Sequence, residues 1–271
     1  MKKIRDLKLF IILLILILLI SCGYLSFCKV PYALTTKSYV IQDSTLPEEF
    51  KNFKVGYFSD LDLNEDKDID RLDQVVNQIN KEEFDLILFG GDVYDSQVFN
   101  NDLVIEKLKG IHAKYGKFAV MGEKDYISAS DVKSILQLSG FEVLSNEIRT
   151  IYYNNSSIQL LGLESNDNLD SLVNEDSTNT YQIALVHQPD FFINSINKKV
   201  NLQISGHSHG GYIYFPFYGA LFKPEGAITY NHGKYQSDAS TLVVSNGIGM
   251  ENNQSARFLC TPDIVKITLD K

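Results

Sequence analysis

Apolar residues follow one rhythm at the start of this chain and another in its body. From Leu9 to Ile20 they run without a break, and no formally charged residue stands between Leu9 and Cys28. One helix of that length spans the ~30 Å hydrocarbon core of a bilayer. From Phe53 the runs become short and β-rich: Lys54 to Ser59, Leu86 to Phe89, Lys117 to Met121, Ile183 to Val186 and Leu202 to Ser205. Between the first two, Ile69, Leu72, Val75, Val76 and Ile79 recur at three- and four-residue intervals, which is one face of a helix. Weaker helical patterns cover Asp102 to Leu108 and Asp131 to Leu138, the second capped by Ser130 or Asp131. Strands alternating with helices predict α/β layering.

Arg149 to Tyr153 and Ile158 to Leu163 flank Asn154-Asn155-Ser156-Ser157 and read as a hairpin; Thr241 to Ser245 and Ile264 to Leu269 are further strands. Residues 165–179 are polar and are expected to form a mobile loop. Residues 29–52, with Pro31 and Pro47, offer a strand pattern only at Tyr39-Val40-Ile41. The chain thus divides into a membrane anchor or signal segment (1–28), a lead-in (29–52) and one domain (53–271), a monomer by expectation.

Charge refines this division. The formal net charge is −9, a sign that argues against a nucleic-acid partner, since phosphate backbones are held by Lys and Arg. Lys2, Lys3, Arg5 and Lys8 nevertheless crowd ahead of the apolar run, opposed only by Asp6. By the positive-inside rule those cations stay cytoplasmic, which puts the body of the chain on the outer face of the cell membrane. Leu19-Ile20-Ser21-Cys22 also resembles a bacterial lipobox, so anchoring as a lipoprotein through Cys22 stays open beside a signal anchor. Cys260 alone remains in the body, where no disulfide framework is possible, and reads as a packed residue.

The chemistry collects where strands end, the position at which open α/β sheets build their sites. The clusters are Asp60-Leu61-Asp62, Gly91-Asp92-Val93-Tyr94-Asp95, Gly122-Glu123-Lys124-Asp125, His187 and Gly206-His207-Ser208-His209. Each alone has a plain explanation, a helix cap or a polar loop. Together they gather carboxylates and imidazoles, ligands for Zn, Mn or Fe. His112 and His232 lie apart from them and read as surface residues. The acidic stretch Asp60 to Asp73 lacks the glycine and terminal glutamate of an EF-hand. The aromatic group Tyr212, Tyr214, Phe215, Phe217, Tyr218 and Phe222 suits a substrate groove, a membrane interface or core packing.

In this order the clusters resemble the calcineurin-like metallophosphoesterase superfamily, whose pattern is D-x-H, G-D-x-x-D, G-N-H-[DE], a lone H, then G-H-x-H. The similarity covers about residues 53–270. Pro216 after the Gly206 to Gly211 run, Ser245-Asn246-Gly247-Ile248-Gly249 and Pro262-Asp263-Ile264 further resemble its membrane-anchored bacterial branch. The resemblance implies a four-layer αββα sandwich, two mixed sheets flanked by helices, behind one N-terminal membrane helix. It also implies hydrolysis of phosphate mono- or diesters by two divalent ions, with a bridging hydroxide attacking phosphorus. Carried over, Asp92 bridges the ions, Asp60 and His209 serve one, and His187 and His207 the other; Asp95 and Asp125 support the chemistry.

Three positions depart from the pattern. Asp62 stands where the family has a His ligand, Glu123 where it has an Asn ligand, and Lys124 where it has the His that assists the leaving group. The candidate metal ligands become Asp60, Asp62, Asp92, Glu123, His187, His207 and His209, with Lys124, Asp125 and Asp95 as candidate catalytic residues. Four carboxylates cancel the charge of two dications, and more oxygen ligands shift preference from Zn toward Mn or Mg; of Mn, Fe, Zn and Mg, Mn is favoured. Lys124 has two open roles: a point charge for an anionic transition state, or a salt bridge to Glu123, Asp62 or Asp60 in place of one metal. The second leaves room for an inactive binding or scaffold protein. Location alone suggests phosphorylated small molecules, lipids or cell-envelope polymers as substrates.

Overall fold

The apolar N-terminal run forms helix α1 (Lys2–Tyr24), continued by a π-type turn at Leu25–Lys29 and a 3-10 turn at Val30–Tyr32. By length and composition, Lys3–Tyr32 is long and apolar enough to cross a membrane, and its side chains are largely unburied. The computed structural model describes residues 2–164, 180–252 and 254–271; the expected polar loop at 165–179 lies outside the described residues.

Two six-stranded sheets make up the body. The first has the order β1-β14-β2-β3-β4-β5, formed by β1 (Thr35–Gln42), β14 (Asp263–Asp270), β2 (Lys54–Phe58), β3 (Leu86–Phe89), β4 (Lys117–Ala119) and β5 (Glu142–Val143). The second has the order β12-β13-β9-β8-β7-β6, from β12 (Gly233–Ser237), β13 (Ser240–Val244), β9 (Leu202–Ser205), β8 (Gln182–Val186), β7 (Ser156–Leu163) and β6 (Glu147–Tyr153). Both are mixed: β2, β3, β4 and β5 pair in parallel while β14 meets β2 antiparallel, and β7, β8, β9 and β13 pair in parallel between antiparallel edges. A small hairpin, β10 (Tyr214–Phe215) with β11 (Gly219–Ala220), stands apart.

Side-chain alternation turns these sheets into layers. Val55, Tyr57, Leu86 and Leu88 of the first sheet share a core with Leu160, Ile183, Leu185, Ile204 and Val243 of the second. The intervening residues Phe58, Ile87 and Phe89 point the other way, onto α2 (Asp66–Lys81), α3 (Asn101–Lys109) and α4 (Ala129–Leu138) through Ile69, Leu72, Val104, Val132 and Leu136. On the far side, Ala184 and Val186 meet Phe191 and Val200, while Leu242 and Val244 meet Phe192 of α5 (Phe192–Asn197). The architecture is the four-layer αββα sandwich. Central parallel strands buried on both faces read as largely apolar runs, which is why β2, β3, β8 and β9 were legible.

Several elements differ from the sequence reading. The strand at Tyr39-Val40-Ile41 extends to Thr35–Gln42, because all eight residues pair in parallel with β14. The helix at Asp131 begins at Ala129, with Ser128 in the cap position. The hairpin strands β6 and β7 reach to Tyr153 and Ser156, so the turn between them is only Asn154-Asn155.

Candidate metal centre

Strands β2, β3, β4, β8 and β9 end on one edge of the sandwich, and the five turns that follow carry the polar clusters, the second after β3 and the third after β4. These turns are tight. Asp60, Asp62, Asp92, His207 and His209 all have positive φ, between 44° and 66°. Five non-glycine residues in left-handed backbone is a costly concentration, the kind found where geometry serves a site. Loop-to-loop hydrogen bonds hold it: Asp60 N donates to Gly91 O at 2.9 Å, Leu61 N to Asp92 O at 2.8 Å, and Gly249 N to Asp60 O at 2.7 Å. Gly122 sits where a Cβ would overlap Asp92 Oδ1 and lie 2.8 Å from His187 Cε1, so only glycine lets the third loop close over the second.

Asp92, Glu123, His187 and His207 each present a ligand atom such that all four lie within 4.8 Å of one another, and among the described residues they form a single such group. His187 Nε2 is 2.9 Å from Glu123 Oε2 and 3.3 Å from Asp92 Oδ2; His207 Nδ1 is 2.7 Å from Glu123 Oε1. The other nitrogen of each ring is committed elsewhere. His187 Nδ1 faces Gly90 O and His207 Nε2 faces Glu225 O, both at 2.7 Å. A carbonyl can only accept, so each ring donates there and keeps its other nitrogen facing inward, where it can ligate once deprotonated, the arrangement typical of metal-ligating histidine. His187 Nε2 is buried without a hydrogen-bond partner. Two imidazole nitrogens and two carboxylates suit a divalent transition metal.

Electrostatics fit the same reading. Burial opposes charge on His187, yet Asp92 and Glu123 outweigh it and hold its pKa well above the usual imidazole range. Burial likewise opposes charge on His207, and Glu123 raises it on balance. Burial pushes Asp92 up, and Glu123 is held well below the usual carboxylate range by His187 and His207 despite its own desolvation. Protons therefore compete with a cation for these nitrogens.

The remaining predicted residues divide around this cluster. Asp125 lies beneath it: its carboxylate accepts from the backbone N–H of Asp92 (2.8 Å), Val93 (2.8 Å) and Gly122 (2.9 Å), tying the second and third loops together. Burial and then Asp92 push Asp125 up to about 7, against the pull of those three donors. Lys124 turns away from Glu123 and Asp60. Its Nζ contacts Asp62 Oδ1 (2.8 Å), Asp95 Oδ1 (2.9 Å) and Glu251 Oε1 (2.8 Å), with 15 % of the side chain exposed. Burial disfavours that ammonium, but Asp62 and then Glu251 outweigh it and hold its pKa well above the usual lysine range.

His209 faces Asp62, Nε2 to Oδ2 at 3.2 Å, and its ring stacks on Tyr212 at 4.6 Å between centroids. Behind it stands Arg257, fully buried, donating to Nδ1 of His209 (3.1 Å), to Asn246 O (2.7 Å), Cys260 O (3.0 Å) and Gly249 O. Asp60 accepts from His207 N at 3.0 Å and from Ser59 Oγ.

Sequence reasoning missed Arg257 and Glu251. Neither stands in a motif: Glu251 reaches Lys124 from more than a hundred residues further along the chain, and Arg257 reaches His209 from the same late loop. His232, read as a surface residue, is instead half-buried and stacked on Tyr214 at 4.5 Å. Cys260 is buried, donates from Sγ to Gly210 O at 2.9 Å, and is pushed up to about 12 by burial.

Two clefts of about 250 Å³ each open beside the cluster. One is lined by Met121, Gly122, Glu123, Tyr126, Glu164, Val186, His187 and Gln188. The other is lined by His207, Ser208, His209, Tyr212, Phe222, Lys223, Pro224, Glu251 and Gln254. The aromatic group divides accordingly: Tyr212 packs, Phe222 borders the second cleft, and Phe217 and Tyr218 stand exposed on the β10–β11 hairpin.

A family model described as calcineurin-like phosphoesterase matches residues 53–211. The metallophosphoesterase YkuE of Bacillus subtilis is 32 % identical over 256 residues, spanning 91 % of this chain and 89 % of its own. A metallophosphoesterase of Aquifex aeolicus is 29 % identical over 253 residues, spanning 88 % of this chain and 92 % of its own. Among solved structures, TT1561 of Thermus thermophilus aligns with a TM-score of 0.47 at 9 % identity, covering 72 % of this chain and 89 % of its own. With its motif-bearing half matched by the family model and near-full-length relatives of the same kind, this chain belongs to the calcineurin-like phosphoesterase family.

Proposed function

We propose that this protein is a metal-dependent hydrolase of phosphate mono- or diesters, anchored by α1 with its body on the outer face of the cell membrane. The observation that carries the reading is the cluster of Asp92, Glu123, His187 and His207, with both imidazoles turned ligand-side inward by backbone carbonyls. A divalent ion held there polarises a phosphoryl oxygen and acidifies water at neutral pH. The protein's own part is to orient: Gly90 and Glu225 fix the two rings, and Asp125 fixes the loops that carry Asp92 and Glu123. The flanking clefts give a phosphoester room on either side, with Lys223 as the cation of the second.

The outer-face location is supported by the cations ahead of α1. Proximity of the site to the bilayer is supported by the segment around Phe258: Arg257 N donates to Ser26 O at 3.0 Å, and Tyr214 N donates to Phe258 O at 2.9 Å. The same segment thus joins the end of the apolar helix to the hairpin bearing Phe217 and Tyr218, whose rings suit a membrane interface. Lipid-linked or cell-envelope phosphoesters fit this location. Full-length protein in detergent, assayed in Mn²⁺ with bis(p-nitrophenyl) phosphate, is expected to turn over well above an Asp92→Ala control. Bound metal without turnover above that control would assign the site to binding instead.

A further inference from the structure

The cluster accounts for one ion, while the family pattern calls for two. The place of the second falls to Asp60, Asp62 and His209, and that corner is already furnished. The Lys124 ammonium sits 2.8 Å from Asp62 Oδ1 and is closed in by Asp95 and Glu251. Both oxygens of Asp60 accept hydrogen bonds, from His207 N and from Ser59 Oγ.

His209 differs from the other two histidines in a decisive way. Its Nδ1 meets Arg257 Nη2 at 3.1 Å, and a guanidinium has donors only. Nδ1 must therefore hold the lone pair, and the ring's proton sits on Nε2, the nitrogen that faces Asp62. An imidazole in that tautomer offers no lone pair to a cation on the Asp62 side. Asp62 Oδ2 is the oxygen of this aspartate that the lysine leaves free, and it lies 3.2 Å from the proton-bearing Nε2 of His209. With Asp60 engaged by two donors, His209 turned donor-side inward and Lys124 on Asp62, this corner offers too few free ligands for a dication, which needs about four.

We propose that this protein binds a single divalent ion, at Asp92, Glu123, His187 and His207, and that the Lys124 ammonium occupies the second position, with Arg257 holding His209 in the non-ligating tautomer. The lysine supplies one positive charge where a metal would supply two, and it cannot be removed by a chelator. This rests on the reading of the four-residue cluster as the metal centre.

The test is metal counting on the full-length protein in detergent, stripped with chelator and dialysed against Mn²⁺, with elemental analysis and electron paramagnetic resonance on the same sample. One Mn²⁺ per chain with an uncoupled six-line spectrum is expected. In Lys124→Met, which keeps the side chain's bulk and removes its charge, the uncompensated Asp62, Asp95 and Glu251 are expected to admit a second ion, raising the count from one to two. Two ions with a spin-coupled spectrum in the unaltered protein would overturn the proposal while leaving the metal-dependent reading intact. No bound ion would overturn that reading and the proposal with it. A count that stays at one in both Lys124→Met and Lys124→Ala would show that the lysine is not what excludes the second ion; should either variant fail to fold, the count on the unaltered protein still decides between one ion and two.

Discussion

Arg257 donates from Nη2 to Nδ1 of His209 across 3.1 Å, whereas His187 and His207 donate their own second nitrogens to backbone carbonyls at 2.7 Å. Three histidines that end strands of one sandwich are thus sorted by what stands behind them. A carbonyl behind the ring makes the front nitrogen a ligand; a guanidinium makes it a donor. The sorting is invisible in the motif, where His207 and His209 are two residues apart, because the partners arrive from Glu225 and Arg257 in later loops.

The supports behind the cluster are open to mutation without touching a ligand. Asp125→Asn replaces one acceptor oxygen with an NH₂ group facing the N–H donors of Asp92, Val93 and Gly122. Loss of such a support typically costs ~10–100-fold in metal affinity or activity. Mn²⁺ titration should show that loss while the circular dichroism spectrum stays unchanged; unaltered affinity would mean the loops hold their places without this carboxylate.

Gly122→Ala tests the closeness of the third loop to the second. The added methyl overlaps Asp92 Oδ1 and crowds His187 Cε1, both in buried side chains. Overpacking of this kind costs about 1–3 kcal/mol. Here it falls on two ligands, so metal binding should weaken more than fold stability, which parallel Mn²⁺ titration and urea unfolding would compare. An alanine variant with native metal affinity would contradict the geometry.

Proton competition gives a pH dependence with a definite sign. Metal binding needs the inward nitrogens of His187 and His207 deprotonated, and both residues have pKa values raised above 6.5 in the metal-free protein. Affinity should therefore climb with pH through and beyond 6.5, by up to ~100-fold per unit where two protons are displaced. The metal-free fold behaves oppositely: the stability these two histidines contribute is complete below 6.5 and lost as pH rises through their raised values. Glu123, depressed from 4.5, contributes stability above that value that is lost as pH falls. The rise in unfolding midpoint on adding Mn²⁺ should thus be small at pH 6 and large at pH 8; equal rises at both would show that no proton is displaced.

How much of this was legible in sequence follows from how local each signal is. Leu86 to Phe89 is a strand to the residue, since burial on both faces leaves no polar position inside it, and Leu202 to Ser205 is one as well although it carries Gln203, whose buried amide is paired with Ser195 and Ser205. The seven candidate ligands could be collected because each ends such a run. The division of those seven could not, because it depends on Arg257 and Glu251, and on carbonyls that have no side-chain signature. Strand β12 (Gly233–Ser237) was also hidden: it is an edge strand of Lys234, Tyr235 and Gln236 whose pairing with β13 alone defines it. Asp62 and Lys124 were visible as departures, yet only their 2.8 Å contact shows that the two changes compensate one another.

Arg257→Met removes the buried guanidinium while keeping much of its bulk. Three carbonyls, of Asn246, Gly249 and Cys260, then lose a donor in a place closed to water. Each unsatisfied buried group costs ~1–3 kcal/mol, less whatever local relaxation recovers, so a net loss of about 2–4 kcal/mol is expected. The damage should be felt at the site, because Gly249 N and Ile248 N hold Asp60 O and Ser59 O from the same loop at 2.7 and 3.0 Å. Urea unfolding of the full-length protein should show a lower midpoint, and the Asp60–Asp62 turn should exchange its amide hydrogens faster. A midpoint within ~0.5 kcal/mol of the unaltered protein would mean that Arg257 serves only to orient His209, and that its carbonyl contacts carry little of the loop's stability.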